Sequence, residues 1–272
     1  MLRLQLRRCL SCLALLSLLL LAAGGPKEIK PGWNLFSREQ DVQLGREAAL
    51  QMERQLRLVR DPQLNAYIQR IGQRLASTPE AAGYPYSFKI AEDQAVNAFA
   101  LPGGPVYVFT GLMRVAENES QLAGVLAHEI SHVALRHGTS QASKANLVQL
   151  PALLAGSLLG ADRSLLGQLA QLGIGLGANS VLLKFSRTAE DQADRLGARI
   201  MARARYNPIE MARFFEKLES QAGPRLQFFS DHPNPGNRMR AIQEEIRWMP
   251  PQEFNAETGQ FRQIQARLAQ LR

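Results

Sequence analysis

Cysteine is scarce in this 272-residue chain: only Cys9 and Cys12 are present, both near the N-terminus. The rest of the chain can hold no disulfide, so it needs no oxidising compartment and tolerates one. Neither cysteine follows an apolar run as a lipid-attachment cysteine would. Aromatic residues make up only 7% of the composition, and none interleave with a basic stripe. The net charge is +8, but the Lys and Arg are scattered among Glu and Asp, which argues against nucleic acid as a partner. The apolar stretch 145–183 contains Asp162 and Arg163, and glycines at 167, 173, 175 and 177 among others. It therefore has no continuous run of the ~20 apolar residues that a membrane span requires. Neither an internal repeat nor a low-complexity linker is visible. Histidine is scarce as well, with four in the chain.

The N-terminal 1–25 segment stands apart. Arg3, Arg7 and Arg8 form a basic start, Leu10–Ala22 is a nearly unbroken apolar run, and Ala22-Ala23-Gly24-Gly25 supplies small residues for cleavage. That order is the layout of a secretory signal peptide, and the apolar run is short for a membrane span. The expectation is a signal peptide over 1–25 and one domain over 26–272, exported to a bacterial periplasm. The alternative is membrane anchoring by an uncleaved N-terminal segment.

With 46% hydrophobic residues, the remaining length suits one sizeable core. Ser37-Arg38-Glu39-Gln40 has capping-box spacing and predicts a helix to about Leu58. Asp61-Pro62 opens a second amphipathic helix to about Ala76. The period then changes: Tyr86–Ile90, Ala95–Leu101 and Val106–Thr110 read as strands around the turn Pro102-Gly103-Gly104-Pro105. Helical period returns over 119–137, over 188–203, after Pro208 and towards the end. The fold class that follows is α+β, mostly helical, with a small β-sheet. The 145–183 stretch reads as buried or lid-forming helices, with membrane contact as the alternative.

Within the third of these helical stretches lies His128-Glu129-Ile130-Ser131-His132. At 100° per residue the two histidines fall about 40° apart, with Leu122, Leu126, Ile130 and Val133 on the opposite side. Two imidazoles one turn apart can grip one zinc ion, and Glu129 beside them can take a proton from an attacking water. His137 falls about 180° from His128 if the helix stays regular, which predicts a surface or helix-capping histidine with no chemistry. A catalytic zinc needs a third protein ligand. Glu190 and Asp194 are again one turn apart, and Ala193 and Gly197 beside them allow close helix approach. Glu190 is therefore the candidate ligand, and Asp194 is placed to fix a ligand histidine's tautomer.

H-E-x-x-H followed by E-x-x-x-D resembles the gluzincin metallopeptidases, specifically the HtpX and CAAX-prenyl-protease family, over about 37–246. The family includes periplasmic quality-control members of the BepA type, which this chain resembles; they add C-terminal helical repeats, which this chain is expected to lack. HtpX-like relatives carry membrane-spanning helices; this chain departs from them at 145–183. The resemblance implies a zincin-type fold, one Zn²⁺ per chain and hydrolysis of peptide bonds in extended or misfolded proteins. It implies that backbone around Asn97 and Ala98, in the segment Asn97–Gly104, pairs with an extended substrate. It also implies that His232 and Arg238, in a late His-Pro…Arg element, face the zinc and stabilise the oxyanion. For His232 a second role stays open, as a fourth zinc ligand that holds the enzyme shut. Two rival readings are a membrane-attached protease, with peripheral membrane contact, and a zinc-bound chaperone or interaction module with little turnover.

Overall fold

The computed structural model describes residues 27–145, 147, 167, 185–221, 228–234 and 236–271. The signal-peptide segment and nearly all of the 145–183 stretch lie outside the described residues. Helix α1 (Arg38–Glu53) opens on the expected capping box: the Ser37 side chain accepts from Gln40 N, and the Gln40 side chain accepts from Ser37 N. It stops five residues before Leu58, for a reason that local propensity does not carry. Residues 57–59 leave the helix to pair with the outer edge of the first strand, through Glu92 N to Arg57 O at 2.7 Å and Val59 N to Ile90 O at 2.9 Å. Helix α2 (Pro62–Ala76) ends where expected, with Asp61 accepting from Gln63 N and Leu64 N at its start.

Three strands follow, β1 (Ser87–Ala91), β2 (Ala98–Ala100) and β3 (Pro105–Phe109), in the order β1-β3-β2. β1 is parallel to β3 and β2 antiparallel to it, so β2 forms an edge of the sheet. Alternation sorts the side chains between two cores. Phe88, Ile90, Ala98, Ala100, Val106 and Val108 join the main core. Ala91, Phe99, Tyr107 and Phe109 face a second core with Phe36, Leu44 and Ala48. The β2–β3 turn requires Gly103, at φ +75°, where a Cβ would meet Val42 Cα at 2.4 Å.

After the short helix α3 (Thr110–Val115) comes α4 (Glu119–Ala134), which carries the histidine motif. All of its residues are buried, so it has no solvent face opposite the expected apolar stripe. The sheet and α2 cover one side, and α6 (Arg187–Arg203) and α7 (Ile209–Ser220) cover the other. α4 stops because Leu135 caps it and Arg136 turns left-handed, at φ +58°. Its guanidinium is held by Asp41 Oδ2 at 2.6 Å, 95 residues earlier in the chain. A new helix, α5 (His137–Ala145), starts from that bend. Helices α8 (Phe228–Asp231), α9 (Arg238–Arg247) and α10 (Phe261–Gln270) complete the described residues. The expected mostly helical α+β fold with a small sheet is what is observed.

Candidate metal centre

α4 and α6 cross closely because small residues line the crossing. A Cβ on Gly197 would lie 3.3 Å from His128 N, and one on Gly124 would lie 2.6 Å from Met211 Cβ on α7. That approach brings Glu190 of α6 onto the two histidines of α4. His232, just past α8, closes the group, and one donor atom from each of His128, His132, Glu190 and His232 falls within 4.8 Å of the others. The distances are 3.0 Å for His132 Nε2 to His128 Nε2, 3.3 Å for His128 Nε2 to His232 Nδ1, and 3.2 Å for His232 Nδ1 to Glu190 Oε1. Glu190 Oε2 lies 3.2 Å from His128 Nε2, and Glu190 Oε1 lies 3.4 Å from His132 Nε2. Ligands bound at ~2.0–2.1 Å on a tetrahedral ion stand about 3.3–3.4 Å apart. The donor set therefore fits one small tetrahedral cation.

The surroundings are dry. His128, Glu129, Glu190 and Asp194 are fully buried, and His132 and His232 nearly so. Phe185 stacks on His132 at 3.8 Å between ring centroids, and Phe228 stacks on His232 at 4.6 Å. In the protein without an ion, burial drives His132 well below its ordinary pKa. Burial also works against the His128 cation, but the Glu190 and Asp194 carboxylates outweigh it and raise its pKa. Burial would raise Glu190, yet the three histidines around it hold it well below its usual range. For Glu129 burial wins: it pushes the carboxyl up to about 7, with His232 and the Ala100 backbone amide opposing and Glu190 and Asp231 adding to the rise. Neither of its oxygens makes a hydrogen bond among the described residues. His232 Nε2 lies 3.4 Å from Glu129 Oε1. A buried, unpartnered carboxylate with a near-neutral pKa beside a cation site is suited to moving protons.

The other candidates fall as follows. Asp194 Oδ1 lies 3.0 Å from His128 Nδ1, where it can hold the ligand's tautomer. Arg238 reaches the donor set at Glu190. Its Nη2 donates to Glu190 Oε2 at 2.7 Å, its Nε lies 3.4 Å from Asp194 Oδ2, and its guanidinium covers the Phe215 ring. Arg238 reaches both carboxylates because α9, which it opens, packs against α6.

Ala98 opens β2 and Asn97 immediately precedes it, and some of their polar groups are already engaged. Asn97 O accepts from Phe109 N at 3.0 Å, and Ala98 N donates to the Asn97 side chain at 2.9 Å. Asn97 Nδ2 in turn donates to Asp231 Oδ2 at 3.1 Å, tying the edge strand to the His232 turn. The β2–β3 register directs the peptide groups of Ala98 and Ala100 away from β3, to the free edge.

The expectation for His137 is corrected. It is buried, with Nδ1 2.9 Å from His132 Nδ1 and Nε2 3.2 Å from Gln192 Oε1. The helix does not stay regular: the left-handed Arg136 swings His137 back beneath His132. Gly138 just beyond the bend was the available hint of a break. Nothing in the sequence singled out Gln192 or Phe185.

A helix bearing two histidines and a glutamate, a second helix supplying a third ligand, and an edge strand alongside define a zincin-type metallopeptidase domain. Comparison with known proteins agrees. The sequence matches the Peptidase family M48 model over residues 62–246. It is 34% identical over 220 residues to the beta-barrel assembly-enhancing protease of Escherichia coli (strain K12), covering 78% of this chain and 45% of that protein. It is 33% identical over 196 residues to the mitochondrial metalloendopeptidase OMA1 of Schizosaccharomyces pombe, covering 71% of this chain and 55% of that one. Metalloprotease LoiP of Escherichia coli is 33% identical over 168 residues, with 60% and 64% covered. The chain spans about half the length of the first two of these relatives. The chain belongs to peptidase family M48. No helix among the described residues is long and apolar enough to cross a membrane.

Proposed function

We propose that this protein is a zinc-dependent endopeptidase acting on extended or misfolded proteins. The observation that carries the reading is the convergence of His128, His132 and Glu190 on one point, with the unpartnered Glu129 carboxylate beside it. Zinc bound there supplies a Lewis acid for the scissile carbonyl and eases deprotonation of water. The chain's own residues do the rest. Glu129 takes the proton from the attacking water on a carboxylate oxygen and passes it to the leaving amine nitrogen. Asp194 keeps a proton on His128 Nδ1, and Arg238 holds the Glu190 carboxylate in place. The free edge of β2, at Ala98 and Ala100, is suited to align an extended peptide by strand addition.

His232 supports a second reading of the resting state. Its Nδ1 takes the fourth place in the donor set, which a catalytic zinc keeps for water or substrate. In that reading His232 is a regulatory ligand that must leave before turnover. Once released, it is free to donate to the oxyanion.

The reading extends to location. The composition of 1–25 supports export with removal of that segment, and so a bacterial periplasm. The name of the Escherichia coli relative links it to β-barrel assembly, which supports a role in envelope protein quality control. The deciding experiment is zinc content of purified 26–272 together with casein cleavage, with and without a chelator. Stoichiometric zinc and chelator-sensitive cleavage are expected. Zinc without cleavage under any condition would favour the chaperone or interaction module.

A further inference from the structure

We propose that His137 and Gln192 set the proton position on the ligand His132, so that the metal centre is built on a His132–His137–Gln192 line as well as on the His128–Asp194 pair. The proposal rests on the zinc-site reading above.

His132 turns Nε2 towards the donor set, 3.0 Å from His128 Nε2 and 3.4 Å from Glu190 Oε1. An imidazole that offers its Nε2 lone pair to a cation carries its hydrogen on Nδ1. That Nδ1 lies 2.9 Å from His137 Nδ1. One nitrogen must donate and the other accept, so His137 Nδ1 accepts and its own hydrogen sits on Nε2. His137 Nε2 lies 3.2 Å from Gln192 Oε1, an acceptor. Every nitrogen in the line then has one role and no two hydrogens meet. A Gln192 amide turned the other way would force N–H against N–H between the two histidines.

Burial makes the line necessary. His132 is 3% exposed and His137 7%, with Phe185 stacked over His132, so solvent has little access to stand in as acceptor. The two ligand histidines are held differently: His128 by the Asp194 carboxylate and His132 by a neutral imidazole. A carboxylate behind His132 would put a further negative charge beside Glu190 and Asp194 in a dry site. A neutral ring orients the ligand without adding that charge. Its position depends on the left-handed Arg136 and the Asp41 carboxylate that holds it. His137 and Gln192 are thus positioning residues.

The test uses the zinc-loaded chain with ¹⁵N-labelled histidine. His137 should show a pyridine-type Nδ1 and a protonated Nε2, and His132 a protonated Nδ1. A protonated Nδ1 on His137 overturns the proposal. By competition with a chelator, His137→Phe should bind zinc about 10–100-fold more weakly. Gln192→Met should lose less, in the same direction, and Gln192→Glu, which keeps an acceptor but adds a charge, should bind zinc more tightly than Gln192→Met. If His137→Phe does not fold, the Gln192 pair and the wild-type spectrum still decide. Unchanged zinc affinity in Gln192→Met together with a wild-type His137→Phe overturns the proposal. A wild-type chain that binds no zinc overturns instead the reading beneath it.

Discussion

Arg238 donates from Nη2 to Glu190 Oε2 at 2.7 Å, and its guanidinium carbon lies 4.4 Å from the Phe215 ring centroid. A cation buried against a ligand carboxylate keeps that ligand aimed. Arg238→Ala should therefore weaken zinc binding, about 10–100-fold as losses of ligand-supporting partners do, and lose activity in proportion. Arg238→Lys should recover part of the affinity, because a single ammonium replaces the fork. Chelator competition measures both. A loss of turnover with zinc affinity intact would return Arg238 to the oxyanion role.

Ligand and base separate by what each loses. Glu129→Gln should keep near-stoichiometric zinc and lose about 10²–10⁴-fold in turnover, because the amide cannot accept the proton. His132→Ala and Glu190→Ala should lose zinc and activity together. Metal analysis beside a casein assay distinguishes the two, and wild-type zinc affinity in Glu190→Ala would place the third ligand elsewhere.

His232→Ala reads out the two roles of that residue. If His232 donates to the oxyanion, its removal costs about 10²–10³-fold in turnover with zinc retained. If it occupies the open position in the resting enzyme, its removal raises basal cleavage. The placement of Nδ1 within the donor set favours the rise. Unchanged turnover and zinc content would take this turn out of the site.

Stability in acid should depend on Glu119, at the start of the histidine helix. Burial alone would raise its carboxyl, but Arg70, Thr258 and Tyr206 outweigh this and hold it below the ordinary 4.5. A carboxyl whose folded-state pKa is depressed contributes stability above about 4.5 and loses it as pH falls through the lower folded value. Glu119→Gln should be less stable at neutral pH, yet lose less on going from pH 5 to 3. Urea unfolding of the metal-free protein across that range tests it. Parallel acid curves for variant and wild type would show that the carboxyl charge contributes nothing.

Chain-local physics was readable in the order of residues. The capping box at Ser37, the Asp61-Pro62 helix start and the side-by-side placement of His128 and His132 all depend on spacings of four residues or fewer. A helix presents those spacings the same way in any fold. Alternation likewise located the three strands to within a few residues, and the small residues beside Glu190 announced a close helix crossing. What lay beyond sequence was every feature set by a partner far along the chain. Helix α1 ends early because residues 57–59 pair with β1. Arg136 turns left-handed in a bend that Asp41 braces, and that bend carries His137 from an expected surface position to the back of His132. Arg238 faces the carboxylates because α9 packs on α6, so a motif that fixed its distance from His232 along the chain could not fix its direction. The residue types determined which chemistry was available; the packing of distant segments decided which way each side chain points.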